Sequence, residues 1–94
     1  MNNRMKTVFR ALAENEAFAR SAAAAFVMPL DPTVEELTEI KTAVSEAVSN
    51  SVIHGYSGWE DRSQAMVELE CEINGNGRVT IIVRDHGRGI ANVE

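Results

Sequence analysis

Two runs of alternating apolar and polar residues, at 67–73 and 78–85, flank the sequence Asn74-Gly75-Asn76-Gly77. Alternation with a period of two is typical of a β-strand that has one buried and one solvent-facing side. The Asn and Gly residues between the runs tolerate the positive φ angles that a tight turn requires. The pattern therefore predicts a β-hairpin, and the aliphatic face of that hairpin needs a cover from another part of the chain.

The first third of the chain shows a weaker strand pattern followed by a helix. Residues 4–12 mix apolar and basic side chains in loose alternation, which predicts a strand. Asn15 is placed to cap a helix, and the alanine-rich run from Ala17 to Met28 has high helix propensity. Pro29 is expected to end this helix.

A second and longer helix is predicted from residue 31 to about His54. Thr33 and Glu36 have the spacing of a capping box, and Gly55 is expected to stop the helix in the left-handed conformation. At about 100° per residue, one face of this helix is apolar and must be buried. That face comprises Leu37, Ile40, Val44, Ala47, Val48 and Ser51. The opposite side carries a polar row, formed by Glu39, Glu46, Asn50 and His54.

Two helices against one face of an antiparallel sheet form an α+β fold, which predicts a two-layer α/β sandwich. The length of 94 residues suits one domain, and 45% hydrophobic with 24% charged residues is typical of a globular protein. A net charge of -5 without clustered basic residues argues against a general nucleic-acid binder. With the single cysteine Cys71, and no targeting or membrane-spanning segment, the sequence predicts a cytoplasmic protein.

Asp85 lies where the second strand of the hairpin ends. Counting by two from Val79 places its carboxylate on the helix-facing side, where a charge must be hydrogen-bonded by backbone or by a ligand. Gly87 and Gly89 follow at alternate positions and allow the backbone to approach another group closely. The segment is either a plain turn or the floor of a ligand pocket.

Glu46 and Asn50 lie one helical turn apart on the polar side of the second helix. Such a pair usually belongs to a solvated face. Alternatively, the two side chains share a site, in which the Asn oxygen binds a hard cation such as Mg²⁺ and the Glu accepts a proton. His54 extends the row, and a histidine is also favoured there by the helix dipole.

Two motifs in the sequence resemble those of a known superfamily. The string 45–56, Ser-Glu-Ala-Val-Ser-Asn-Ser-Val-Ile-His-Gly-Tyr, resembles the N box of the GHKL superfamily, whose Bergerat ATP-binding fold occurs in gyrase and sensor histidine kinases. Asp85-x-Gly87-x-Gly89 resembles the G1 box. The combination Glu-Ala-Val-x-Asn-x-x-x-His-Gly-Tyr is most similar to the bacterial anti-sigma factor serine kinases, as are residues 15–20 and 30–41. The similarity extends over essentially the whole chain.

The resemblance implies an ATP or ADP site and a role for each of its residues. Asp85 would accept a hydrogen bond from the adenine amino group, and Gly87 and Gly89 would let the backbone lie against the base. Asn50 would bind the Mg²⁺ that bridges the phosphates. Glu46 would be the general base that takes the proton from a partner's serine hydroxyl during phosphoryl transfer.

The resemblance also implies protein partners. The anti-sigma kinases bind a sigma factor, phosphorylate an anti-anti-sigma factor and form homodimers through the sheet. Arg20 would be a partner contact, and its alternative is a solvated helical cation. Two other functions remain open, namely a non-catalytic module that binds a sigma factor, and another GHKL ATPase or histidine kinase domain. His54-Gly55-Tyr56 and the absence of a dimerisation helix argue against a histidine kinase.

The sequence ends at Glu94, directly after the G1 box. The family continues through an ATP lid, a G2 box and further strands, so we interpret residues 1–94 as the N-terminal part of a single GHKL domain, truncated after the G1 box. A sheet without its remaining strands exposes an edge and an apolar patch, which predicts self-association or marginal stability.

Overall fold

The computed structural model describes residues 1–86 and 90–92. In chain order its elements are β1 (Asn3–Arg10), α1 (Asn15–Val27), a 3-10 turn (Met28–Leu30), α2 (Val34–Asn50), a π-helical segment (Ser51–Gly55), β2 (Met66–Ile73), β3 (Val79–Asp85) and β4 (Ile90–Asn92). These strands form an antiparallel sheet in the order β1-β2-β3-β4. No helix in the described ranges has both the length and the apolar character needed to cross a membrane.

The sheet buries one face against both helices. In the register of the three long strands, Cys71 of β2 lies opposite Met5 of β1 and Ile81 of β3. Alternate residues therefore point to the same side, where they pack against α1 and α2. The core cluster contains Phe9, Ala19, Ala23, Val44, Ala47, Val48, Val67, Leu69, Cys71, Ile81 and Val83. The predicted α+β fold with two layers is confirmed.

The predicted hairpin is also confirmed, and its turn has a clear physical basis. Gly77 has a φ of 79°, in the left-handed region that glycine tolerates. The amide of Gly77 donates to the carbonyl of Asn74, and the Asn74 side chain accepts hydrogen bonds from the amides of Asn76 and Arg78, each 2.9 Å long. The Asn74 side chain therefore stabilises the turn in which it lies.

The two helices begin differently. Thr33 caps α2 in a complete capping box, because its hydroxyl accepts from the Glu36 amide at 3.1 Å while the Glu36 carboxylate accepts from the Thr33 amide at 2.8 Å. The prediction that Asn15 caps α1 is wrong. Glu14 occupies the cap position without a side-chain bond, and the Asn15 side chain instead donates to the carbonyl of Arg10. Asn15 thus connects the start of α1 to the end of β1.

The second helix ends in a way that its sequence did not predict. After Asn50 the winding widens into the π-helical segment and continues through Gly55. Among the described residues, positive φ angles occur at Asp31, Gly58 and Gly77, so the expected left-handed stop at Gly55 is wrong. The π-helical segment accommodates the turn without a positive φ, and Gly55 meets a different requirement, the close approach of Asp85.

The remaining differences concern short elements. The helix α1 ends at Val27, and Pro29 lies in the 3-10 turn that follows. The strand β1 spans Asn3–Arg10, whereas the sequence predicts 4–12. The strand β4 was not predicted, since its three residues are too few to show a period.

Candidate functional site

The end of β3 meets the end of the π-helical segment. Asp85 is the last residue of β3 and is half-buried, and Gly55 is buried. A Cβ atom built on Gly55 would lie 2.7 Å from Oδ2 and 2.8 Å from Cγ of Asp85, closer than real Cβ contacts allow. The Asp85 carboxylate therefore rests directly against the helix backbone, at a position where only glycine leaves room for it. The fold brings together the two sequence motifs, which lie thirty residues apart.

Tyr56 ties this junction to the sheet. Its side chain is 1% exposed, and its hydroxyl accepts hydrogen bonds from the amides of His86 at 3.0 Å and Met66 at 3.2 Å. The same hydroxyl donates to the carbonyl of Met66. One phenol thus joins the start of β2 to the residue that follows Asp85. The ring of Trp59, which is 44% exposed, packs edge-on against Tyr56 with centroids 4.7 Å apart.

Glu46 and Asn50 lie on the exposed side of α2, as predicted. Together with Ser45 and Ser49 they line a shallow depression, and Glu16 of α1 completes its wall. Asn50 precedes Gly55 by five residues and Glu46 precedes it by nine, so both lie within about 14 Å of Gly55 along the helix axis. The continuous helix formed by α2 and the π-helical segment therefore contacts Asp85 at its C-terminal end and carries Glu46 and Asn50 earlier along its length.

The donor set of the depression fits a hard cation that is bound mainly by another ligand. Carboxylate and carboxamide oxygens suit Mg²⁺, which usually takes one or two protein ligands and completes its shell with phosphates and water. In the part of the chain that the structure describes, no group of three or more His, Cys, Asp or Glu side chains is arranged to hold a metal ion. A cation held by Asn50 would therefore take most of its ligands from a bound polyphosphate and water.

Three other residues singled out from the sequence have different positions. His54 is exposed in the π-helical segment, beyond the depression. Arg20 on α1 is partly exposed, and its Nη1 lies 3.8 Å from the Oε1 of Glu16. Arg20 therefore contacts Glu16, which lines the depression, but does not line the depression itself. Gly87 and Gly89 lie outside the described residues.

A charged cluster occupies the opposite face of the sheet. Glu70 is 7% exposed, and it accepts hydrogen bonds from Arg84 at 2.6 Å and from Arg4 at 2.9 Å. These bonds, that from Arg84 first, lower the pKa of Glu70 below its usual value. The same Arg84 guanidinium also contacts Glu68 at 2.7 Å. The cluster fixes the register of β1, β2 and β3 on the side away from the helices.

The sequence analysis singled out Asp85, Asn50 and Glu46, but it gave no role to the contacts of Gly55 with Asp85 and of Tyr56 with His86. Gly55 was interpreted as a helix stop, and Tyr56 was considered as the last residue of the motif at 45–56. The available signal was the position of both residues at the end of the predicted helix, close in sequence to Asn50. The sequence analysis also did not place Glu16 in the depression, because a contact between two helices produces no pattern in the sequence of either helix.

Comparison with known proteins gives a matching family and several similar relatives. Residues 9–94 match the model of the family described as Histidine kinase-like ATPase domain. The chain is 54% identical over 93 residues to the anti-sigma F factor of Clostridium beijerinckii, and 53% identical over 92 residues to that of Clostridium novyi. It is 53% identical over 94 residues to the anti-sigma F factor of Anoxybacillus flavithermus. These matches cover 99, 98 and 100% of this chain, respectively, and the chain spans 62% of the length of each relative.

Proposed function

Because the chain belongs to the histidine kinase-like ATPase domain family, we propose that it forms the N-terminal part of a nucleotide-dependent anti-sigma factor that is also a serine protein kinase. Its relatives named anti-sigma F factor support a sigma factor as one partner. A second partner, an anti-anti-sigma factor, would supply the serine that receives the phosphoryl group. The observation that carries the proposal is the junction of Asp85 with Gly55, at the end of the helical element that bears Glu46 and Asn50.

In this proposal Asp85 reads the base of the nucleotide. A carboxylate accepts a hydrogen bond from the exocyclic amino group of adenine, and a hypoxanthine base offers no such donor. Because the carboxylate is half-buried, its hydrogen bond to a ligand is shielded from water on one side and gains in strength. Gly87 and Gly89 would let the backbone lie against the base.

The phosphates would then extend along α2 towards Asn50 and Glu46. The Asn50 carboxamide oxygen would hold Mg²⁺, which would supply positive charge beside the phosphates. The Glu46 carboxylate accepts the proton of the partner's serine hydroxyl while that oxygen forms a bond to the γ-phosphorus. The bond from the γ-phosphorus to the bridging oxygen of ADP breaks in the same transfer. Glu46 is exposed on the helix surface, so a serine on another protein can reach it.

Nucleotide binding is tested by calorimetric titration of the intact protein with Mg²⁺-ADP. We expect binding in the wild type, and a loss of about tenfold or more in Asp85→Asn, because an amide that replaces the carboxylate weakens the bond to the base. Glu72→Gln is the matched control, since Glu72 is exposed on the outer face of the sheet. No binding to the wild type would contradict the ATP site.

The kinase step is tested by phosphate incorporation into the anti-anti-sigma factor. Glu46→Gln is expected to lower the transfer rate by 10²-fold or more and to leave ADP affinity within about twofold, because general-base catalysis contributes about 10²–10⁴ to the rate. Glu39→Gln, on the same helix but outside the depression, is the control. Equal rates for the two variants would contradict the role of Glu46.

The partner contact of Arg20 has its own test. Arg20→Glu places two acidic side chains one turn apart on α1 and reverses the charge beside the depression. We expect weaker binding of the sigma factor and of the anti-anti-sigma factor, with ADP binding unchanged.

The wild type also tests the alternative function. If it binds the sigma factor but neither binds nucleotide nor transfers phosphate, the chain is a non-catalytic binding module.

A further inference from the structure

Residue 55 must be a glycine because the Asp85 carboxylate lies against it. The φ angle of Gly55 is not positive, so any residue could adopt its backbone conformation. A side chain has no room there, because the three atoms nearest a built Cβ all belong to the Asp85 carboxylate, at 2.7, 2.8 and 3.1 Å. A methyl group at residue 55 would therefore clash with that carboxylate, and we expect the carboxylate to move, because it is the end of a side chain.

Tyr56 contacts the backbone of His86, the residue that directly follows β3. Its hydroxyl accepts a hydrogen bond from the amide of His86, the residue that follows Asp85, and is itself held by the amide and carbonyl of Met66. The phenol is buried, so these bonds are shielded from competing water. Asp85 is thus bounded by Gly55 at its carboxylate and by Tyr56 at the backbone that follows it.

We propose that Gly55 and Tyr56 are positioning residues that set the location of the Asp85 carboxylate and thereby the preference of the site for adenine over hypoxanthine nucleotides. The inference rests on the proposed function, because it assumes that Asp85 reads the base. Neither residue contacts the nucleotide in this scheme. Gly55 provides the space for the carboxylate, and Tyr56 fixes the backbone that carries it.

The first test is Gly55→Ala, with ADP and IDP titrated separately into the intact protein. The displaced atoms are the end of a side chain, so we expect thermal stability close to that of the wild type. The affinity for ADP should fall about tenfold or more, as expected for loss of a hydrogen bond to a charged group, while the affinity for IDP stays within about twofold. The ratio of the two affinities separates misplacement of Asp85 from general damage, which lowers both.

Two controls sharpen this test. Gly75→Ala is a matched substitution, because Gly75 also lacks a positive φ and its built Cβ meets only Asn2, at 3.6 Å or more. It should retain the wild-type ratio of ADP to IDP affinity. In an Asp85→Asn background, Gly55→Ala should cause no further loss of ADP affinity, since both changes act on the same carboxylate.

Tyr56→Phe provides a second and independent variant. It removes the acceptor of the His86 amide, so hydrogen exchange at His86, followed by NMR, should accelerate at least tenfold without nucleotide. The ratio of ADP to IDP affinity should fall in parallel. Val27→Ala, a buried substitution in α1, controls for lost stability and should keep the wild-type ratio.

The outcomes distinguish the two proposals. A wild-type protein that binds neither nucleotide, or binds both equally, overturns the proposed role of Asp85 and this inference with it. A wild-type preference for ADP that both Gly55→Ala and Tyr56→Phe retain overturns the positioning role alone. Loss of the preference in both variants, with IDP affinity and the two controls unchanged, supports it.

Discussion

Glu70 shows how a single residue contributes to the sheet. It lies in the central strand β2, on the face away from the helices, and its carboxylate is shared between Arg4 of β1 and Arg84 of β3. Charge-assisted hydrogen bonds are stronger than neutral ones, and a partly buried pair is less screened by salt than an exposed one. Glu70 therefore couples three strands through one side chain.

Replacing Glu70 is expected to lower stability in a pH-dependent way. The pKa of Glu70 in the folded protein lies below its unfolded value of about 4.3, so the carboxylate stabilises the fold fully above that pH. The contribution is lost as the pH falls through the folded-state pKa. Glu70→Gln should lower the free energy of unfolding by about 1–3 kcal/mol at pH 7, and flatten its decline in acid, as measured by urea denaturation between pH 7 and pH 3.

The neighbouring Glu72 supplies the control for this prediction. It lies on the same strand and face, but its side chain is 51% exposed and its carboxylate is 3.9 Å from Arg4. Exposed ion pairs contribute little, so Glu72→Gln should change stability by less than about 0.5 kcal/mol. An equal effect of the two substitutions would mean that burial of Glu70 does not strengthen its bonds.

Among the elements, α2 is the one on which the candidate site depends. It begins at a complete capping box, passes through the depression that Glu46 and Asn50 line, and leads through the π-helical segment to the Asp85 junction. Its buried residues, Val44, Ala47 and Val48, pack into the core that covers the sheet. The start of the helix is far from the site, so capping can be tested separately from binding.

Thr33→Ala is expected to destabilise the protein without changing its nucleotide site. The substitution removes the hydroxyl that accepts from the Glu36 amide, and loss of such a cap costs about 1 kcal/mol. Thr38→Ala is the matched control, because the Thr38 hydroxyl only donates to the carbonyl of Val34 within the helix. Urea denaturation should show a lower midpoint for Thr33→Ala alone, and a similar midpoint for both variants would contradict the capping role.

Periodic elements could be predicted from the sequence, and contacts between elements could not. The hairpin and α2 have strong signals, since Val79, Ile81 and Val83 alternate and Thr33 precedes Glu36 by three residues. Gly55 was misassigned because a glycine after a helix has two explanations, a left-handed stop or a close approach, and only the position of Asp85 distinguishes them. Asn15 was misassigned for the same reason, since its partner is in β1. The resemblance to GHKL proteins is confirmed, whereas the roles of Glu46, Asn50 and Asp85 stay predictions.

At the scale of the whole molecule, the helices cover one face of the sheet in the described residues and leave the other open. On this open face the acidic side chains of β2 are paired with Arg4 and Arg84. Val8 of β1 remains 51% exposed beside them. A face with paired charges and an accessible apolar side chain is compatible with the homodimer that we infer from the GHKL resemblance.

Val8→Lys is expected to weaken that dimer without disturbing the fold. The new cation would stand opposite Glu68 in the register of β1 and β2, which favours the strand pairing, but a second copy would have to desolvate it. Sedimentation velocity should give a dimer for the wild type and a monomer for Val8→Lys at micromolar concentrations. Val34→Lys, at a residue that is 80% exposed on α2, is the control and should remain dimeric. A monomeric wild type would exclude the homodimer, and a dimeric Val8→Lys would place the interface elsewhere than on the open face of the sheet.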